Sequence, residues 1–208
     1  MKEDIVKISA IKIGLLGDTT VGKTAIVNSI MGLEFNPDML MTIGYDKLEK
    51  KFKLKNNEDI KLIIYDICGA ERQRCIAMKS IKSVQGIILI FDLTNKKSFD
   101  NLNNWLAAIK DNLAEPLIVL FGNKADIEKD KWQVTSEEAS KFAKEKRIAY
   151  FETSAKTKIG VNEGLSYIVN RVYNKLMGYD DEEIMLDKKK SNTNSNCAGN
   201  KKSKINKK

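Results

Sequence analysis

Short apolar runs alternate with segments of helical periodicity along most of this chain. The runs that predict strands cover residues 6–16, 51–54, 60–65, 87–91, 117–121 and 149–152. Helical periodicity covers residues 24–31, 99–109, 136–146 and 161–177. Because strands that alternate with helices are typical of the α/β class, we predict a mainly parallel, six-stranded sheet with helices on both faces.

Two short motifs predict where a strand pair turns and where a helix begins. Asn56-Asn57 lies between two predicted strands and indicates a hairpin turn. Thr135, followed three residues later by Glu138, matches a capping box and predicts that a helix begins at Ser136. A sheet of this kind binds ligands beyond the carboxyl ends of its strands, so we expect functional residues there.

The formal charge of +8 belongs to one end of the chain. Residues 188–208 hold eight lysines and no acidic residue, which leaves 28 basic and 28 acidic side chains in residues 1–187. The end segment is dominated by Ser, Asn, Lys and Gly, a composition that buries too little apolar surface to fold. We therefore predict a folded domain over residues 1–178 and a disordered, lysine-rich tail over residues 179–208.

Composition and the chain start argue against several classes of protein. The apolar runs are too short to cross a bilayer, and Met1-Lys2-Glu3-Asp4 does not resemble a signal peptide. Three cysteines without metal-ligand spacing argue against a disulfide framework or a zinc site. We expect a cytoplasmic protein, with peripheral attachment to an intracellular membrane as an option that the tail leaves open.

The strongest chemical signal follows the first predicted strand. Residues 17–24 match the phosphate-loop pattern G-x-x-x-x-G-K-[ST], in which backbone N–H groups and a helix N-terminus face phosphate oxygens. The lysine reaches the outer phosphates, and the Thr24 hydroxyl is a candidate ligand of Mg²⁺. The nucleotide-binding residues predicted here are Gly17, Asp18, Thr19, Thr20, Val21, Gly22, Lys23, Thr24 and Ala25.

Two further loops predict the base. Asn123, Lys124 and Asp126 follow a buried strand, and an ionised carboxylate at Asp126 accepts hydrogen bonds from guanine N1–H and its amino group. Adenine would leave that charge unmatched. Ser154-Ala155-Lys156 follows the last strand, where the Ala155 N–H can donate to guanine O6. GTP and GDP, with Mg²⁺, are therefore the predicted ligands.

On these motifs the chain resembles the Ras superfamily of small GTPases and, within it, the Rab family. The resemblance spans about residues 6–177 and also includes the segments 42–46, 61–66, 86–92 and 98–106. It implies a phosphate-loop GTPase domain acting as a switch in vesicle traffic. It also implies that exchange factors, activating proteins and effectors bind through residues around 36–47 and 67–85.

The resemblance assigns roles to further residues. Lys23, Thr42 and Gly69 would contact the γ-phosphate as the catalytic group, and Thr24, Thr42 and Asp66 would form the Mg²⁺ site. Phe35 would pack against the guanine. Trp105 lies in a segment that carries the resemblance, and we interpret it as a core or surface aromatic residue.

Three departures from the family pattern alter the expected activity. Ala70 stands where the family has the glutamine that orients the attacking water, so we expect intact binding and slow hydrolysis. By the same resemblance, activating proteins that supply a glutamine in trans would make this defect conditional. Only Tyr65 is aromatic among Lys47, Tyr65 and Ser80, which match the family's aromatic effector triad. Cys197 is followed by eleven residues in this sequence, so we expect no prenylation of a C-terminal cysteine motif.

Three functions remain open on the sequence. The first is a GTP-binding switch with weak GTPase activity. The second is a GTP-locked scaffold with negligible hydrolysis. In the third, Lys188–Lys208 binds a polyanion and the domain is incidental. For the tail itself the sequence leaves open a solvated segment without a specific role, attraction to an anionic membrane surface, an acylated Cys197 and nuclear import, and it disfavours nucleic acid.

Overall fold

The computed structural model describes residues 8–39, 44–67 and 81–179. Six strands form one sheet in the order β2-β3-β1-β4-β5-β6, in which β2 is antiparallel to β3 and every other pair is parallel. The strands are β1 Ala10–Leu16, β2 Tyr45–Lys53, β3 Asp59–Ile67, β4 Gly86–Asp92, β5 Leu117–Asn123 and β6 Ala149–Glu152. The predicted α/β class and six-stranded sheet are confirmed.

Helices cover both faces of the sheet. They are α1 Lys23–Met31, α2 Lys96–Asp100, α3 Leu102–Asn112, α4 Ser136–Lys146 and α5 Val161–Met177, with a 3₁₀ turn at Lys129–Lys131. One apolar cluster packs α1 and α5 against the sheet, and a second packs α2, α3 and α4 against the other face. All seven residues of β4 are buried, as expected for a central parallel strand.

The edge strand β2 is longer than its apolar pattern predicted. It begins at Tyr45 rather than near residue 51, and most of its side chains are exposed. Its hydrogen bonds to β3 define the strand, while solvent on its outward face allows charged residues that mask the period of two. The predicted turn is confirmed: the Asn57 N–H donates to the Leu54 carbonyl oxygen, and Asn57 has a φ of 68°.

The helix predicted over residues 99–109 is two helices that meet at Asn101. The first begins earlier than predicted because the Asn95 side chain caps it, accepting a hydrogen bond from the Lys97 N–H. At the start of α4, the Thr135 hydroxyl accepts from the Glu138 N–H, as the capping motif predicted. Among the described residues, no helix is long and apolar enough to span a membrane.

Candidate nucleotide-binding site

The phosphate loop joins the carboxyl end of β1 to the start of α1, and its two glycines are required by close contacts. A Cβ on Gly17 would lie 2.1 Å from the Ile90 carbonyl oxygen, and a Cβ on Gly22 would lie 2.4 Å from the Asn123 side-chain nitrogen. Both residues also have positive φ, 142° and 96°. Only glycine therefore fits at either position, and the loop backbone can curl around an anion.

The loop lysine points back along the phosphate loop. Lys23 Nζ donates to the carbonyl oxygen of Gly17 at 3.0 Å and to that of Asp18 at 2.6 Å, and the side chain is buried. The first turn of α1 contains no acidic residue of its own, so no side chain within that turn opposes the positive end of the helix dipole. A buried cation beside a helix N-terminus is an arrangement that favours a bound phosphate.

Thr24 and Asp66 bring two oxygen donors together beside this loop. Thr24 Oγ1 donates to Asp66 Oδ2 at 2.6 Å, although the residues are 42 positions apart in the chain. Asp66 is 1% exposed, near the carboxyl end of β3. A hydroxyl and a buried carboxylate are the hard oxygen donors that Mg²⁺ prefers.

Asn123 connects the phosphate loop with the loop after β6. Its Nδ2 donates to the Val21 carbonyl oxygen at 2.8 Å, and its Oδ1 accepts from the Ala155 N–H at 3.2 Å. The side chain is 2% exposed, so both bonds form in a protected environment. The predicted phosphate and base segments are thus joined by one amide.

Two carboxylates organise the base side of the site. Asp126 Oδ1 accepts from Ser154 Oγ at 2.6 Å, and the same hydroxyl accepts from the Thr157 N–H at 3.0 Å. Lys124 has a φ of 68° and forms an ion pair of 2.6 Å with Asp92 at the end of β4. The predicted convergence of the two loops is therefore present.

Comparison with known proteins agrees with this geometry. Residues 12–174 match the Ras family. The chain belongs to the Ras family. It is 37% identical over 168 residues to the Ras-related protein Rab-13 of Rattus norvegicus, covering 80% of this chain and 82% of that protein. It is 35% identical over 173 residues to Rab-10 of Caenorhabditis elegans, covering 83% and 85% of the two chains.

Human Rab-8B is also similar, with 36% identity over 166 residues and 79% of each chain covered. These matches identify a Rab-like small GTPase, a class of GTP-binding switches. The predicted family is confirmed, and with it the expectation of a phosphate-loop domain with a mainly parallel sheet.

The remaining predicted residues of this small GTPase differ in exposure. Thr19, Thr20 and Lys156 are exposed at the edge of the site, while Ala25 is partly buried on α1. Phe35 is 41% exposed in the segment after α1, as a side chain available to cover a base would be. Thr42, Gly69, Ala70, Cys197 and the lysine-rich tail lie outside the described residues.

Sequence reasoning missed three polar contacts of the phosphate and base loops. Asp92 pairs with Lys124, and its position at the end of a buried strand was a signal that could have found it. Asn101 Nδ2 and Trp105 Nε1 both donate to the Asp18 carboxylate. Trp105 was predicted to be a core or surface aromatic residue; it is buried in the core, and the prediction did not include this polar contact.

Proposed function

We propose that this protein is a guanine-nucleotide switch of the Rab type that acts in intracellular vesicle traffic and hydrolyses GTP slowly. The observation that carries the proposal is the Asn123 amide, which joins the phosphate loop to the Ala155 N–H. A ligand that contacts both segments needs phosphates at one end and a base at the other. A nucleoside di- or triphosphate has this form.

Guanine is the base that this arrangement favours. Asp126 has one carboxylate oxygen bonded to Ser154, which orients the group and leaves acceptor capacity for two N–H donors of the base. The Ala155 N–H donates to Asn123 Oδ1 at 3.2 Å, and on nucleotide binding it would share this long bond with guanine O6 or exchange it for a bond to that oxygen. The relatives' family membership supports the same ligand.

The phosphate side of the proposal assigns Lys23 to the outer phosphates and Thr24, with Asp66, to Mg²⁺. The metal would neutralise charge on the phosphate oxygens. Thr42 and Gly69 complete this set by the family resemblance, Thr42 as the metal and γ-phosphate ligand of the GTP state. Loops that contact the γ-phosphate report which nucleotide is bound, which is how such a protein acts as a switch.

Slow hydrolysis is the part of the proposal specific to this chain. Ala70 has no group that can hydrogen-bond a water, while binding depends on other residues. A GTP-locked scaffold is the alternative, in which nucleotide only holds the structure together. Single-turnover hydrolysis with and without an activating protein separates the two.

The nucleotide that copurifies with the protein is the first test. Chromatography of the supernatant after denaturing protein purified from cells should show GDP or GTP at close to one mole per mole. Thr24→Asn, which removes a metal-ligand hydroxyl, should shift the bound nucleotide toward GDP. Stoichiometric ATP, or no nucleotide in protein purified in Mg²⁺ without chelator, would contradict the proposed function.

Charged side chains lie on β2 and β3, the two strands next to the proposed partner segments. Glu49 bonds to Lys61 and to Lys47, and these two contacts lower the pKa of the Glu49 carboxyl. Tyr45 and Tyr65 lie on the same strands with ring centroids 6.4 Å apart. We propose that exchange factors, activating proteins and effectors bind around residues 36–47 and 67–85, and that effectors here match a charged surface rather than an aromatic triad.

The lysine-rich tail is proposed to attract anionic membranes from the cytoplasmic side. Full-length protein should bind vesicles that contain phosphatidylserine and dissociate as salt rises, because each lysine near the headgroups contributes up to about 1 kcal/mol. Truncation after Asp187 should reduce binding to the level seen with neutral vesicles. Binding that resists high salt would instead indicate an acyl chain, and salt-sensitive binding to RNA but not to vesicles would favour the polyanion-binding function.

A further inference from the structure

A single carboxylate oxygen of the phosphate loop accepts two hydrogen bonds from one remote segment. Asp18 Oδ1 accepts from Asn101 Nδ2 at 2.6 Å and from Trp105 Nε1 at 2.8 Å. The donors are 83 and 87 residues away along the chain, on and beside α3. Hydrogen bonds to an ionised acceptor are stronger than bonds between neutral groups, so these two bonds hold the Asp18 side chain against α3. No residue of α3 is among the predicted nucleotide contacts.

The same residue orients the phosphate-binding lysine. The Asp18 carbonyl oxygen accepts from Lys23 Nζ at 2.6 Å, the shorter of the two bonds that the lysine makes to the loop carbonyls. A change in the side-chain anchor of Asp18 would rotate or shift this peptide. The position of the Lys23 ammonium group therefore depends on where α3 holds Asp18.

Both donors are themselves fixed. Trp105 is 0% exposed and belongs to the apolar cluster between the sheet and α3. Asn101 lies at the junction of α2 and α3, and its Oδ1 accepts from Asn104 Nδ2 at 2.6 Å. Because the oxygen of the Asn101 amide is already bonded, its nitrogen is directed toward Asp18.

Trp132 shows that a tryptophan of this fold can satisfy its indole N–H locally. Its Nε1 donates to the Ile127 carbonyl oxygen at 2.9 Å, five residues away. Trp105 instead uses a charged acceptor in the phosphate loop. A buried indole N–H needs a hydrogen-bond acceptor, which explains why Trp105 forms a hydrogen bond. It does not explain why the acceptor is Asp18, the residue that also bonds to Lys23.

We propose that Asn101 and Trp105 are positioning residues for the phosphate site: through the Asp18 carboxylate they hold the peptide that orients Lys23. This inference rests on the proposed function, since it names further residues that determine nucleotide affinity. It couples the position of α3 to the phosphate site, so a ligand or substitution that shifts α3 would alter the rate of nucleotide release.

The test compares GDP release from matched variants. Trp105→Phe keeps an aromatic ring in the core but removes the N–H donor together with part of the indole ring, whereas Asp18→Ala removes the acceptor and leaves the core intact. Trp132→Phe is the control because it removes the other indole N–H. Release of a fluorescent GDP analogue should be about tenfold faster for each of the first two variants and within twofold of wild type for the control.

The double variant shows whether the two residues act as one unit. Trp105→Phe combined with Asp18→Ala should release GDP no faster than the faster single variant, since both remove the same bond. Unchanged release in Trp105→Phe, even with a lower unfolding midpoint, would assign Trp105 to packing alone and overturn the inference. Additive rate increases would overturn it as well.

A spectroscopic measurement keeps this inference separate from the proposed function. In Trp132→Phe protein, Trp105 is the single tryptophan, so its indole N–H resonance can be followed directly. Asp18→Ala should shift that resonance and speed its exchange with solvent. A resonance that does not respond would overturn the contact itself. Wild-type protein that bound neither GDP nor GTP would overturn the proposed function, and with it the assigned role of the contact.

Discussion

Asp126→Asn is expected to weaken GDP and GTP binding by about 10²- to 10⁴-fold. The carboxylate is proposed to accept two N–H groups of guanine, and each hydrogen bond to a charged acceptor contributes about 1.5–3 kcal/mol. An amide at this position places a donor where the base also presents donors. Xanthine has a carbonyl in place of the amino group, so the variant should gain affinity for xanthosine nucleotides.

Competition against a fluorescent GDP analogue measures this change, with GDP and XDP as competitors. Asp130→Asn is the matched control because Asp130 is an exposed carboxylate in the 3₁₀ turn that follows this loop. It should bind GDP as wild type does. If Asp126→Asn bound GDP with unchanged affinity, the assignment of base recognition to this loop would be wrong.

The sequence predicted the phosphate loop and the two base loops because the residues of each are contiguous in the chain. The phosphate loop is one eight-residue pattern of glycine, lysine and threonine, so it is visible in the sequence even though the contacts that exclude a Cβ at Gly17 and Gly22 are made by Ile90 and Asn123. The segments at Asn123–Asp126 and Ser154–Lys156 lie at the carboxyl ends of β5 and β6, and their convergence follows from parallel strands ending at one edge.

The contacts that the sequence did not predict join residues far apart in the chain. Nothing near Trp105 indicates that its indole would bond to Asp18, because 87 residues separate them and the apolar pattern of α3 explains a tryptophan equally well. The start of β2 was missed for a different reason. An edge strand is stabilised by backbone pairing, and its exposed side chains carry no periodic signal.

The expected slow hydrolysis of this small GTPase depends on a segment whose two ends are fixed in the core. Ile67, the last residue of β3, and Ile81, at the start of the next described segment, are both 0% exposed. Ala70 lies between them in the sequence, three residues after Ile67. The proposal of slow hydrolysis therefore rests on the identity of residue 70 in the sequence, where alanine has no group that can orient a water.

Ala70→Gln is expected to raise intrinsic GTP hydrolysis by about ten- to a hundredfold, which is the scale of a group that positions a water. This corresponds to about 1.4–2.8 kcal/mol of the activation free energy. Nucleotide affinity should stay within about threefold, because the phosphate loop, Asp66 and Asp126 are unchanged. Single-turnover hydrolysis of preloaded GTP measures the rate, and Ala107→Gln, at an exposed position of α3, is the control for the same substitution elsewhere.

The Ala70 experiment also decides between the switch and the scaffold. Acceleration in Ala70→Gln but not in Ala107→Gln would mean that the phosphate site is competent and lacks mainly a water-orienting group. By the family resemblance Thr-Ala would stand where this chain has Ile67 and Cys68, so the segment departs from the family pattern before residue 70 as well. Intact GTP binding with no acceleration would show that this whole segment has left the catalytic geometry. A nucleotide-locked scaffold would then replace the switch as the better description of the protein.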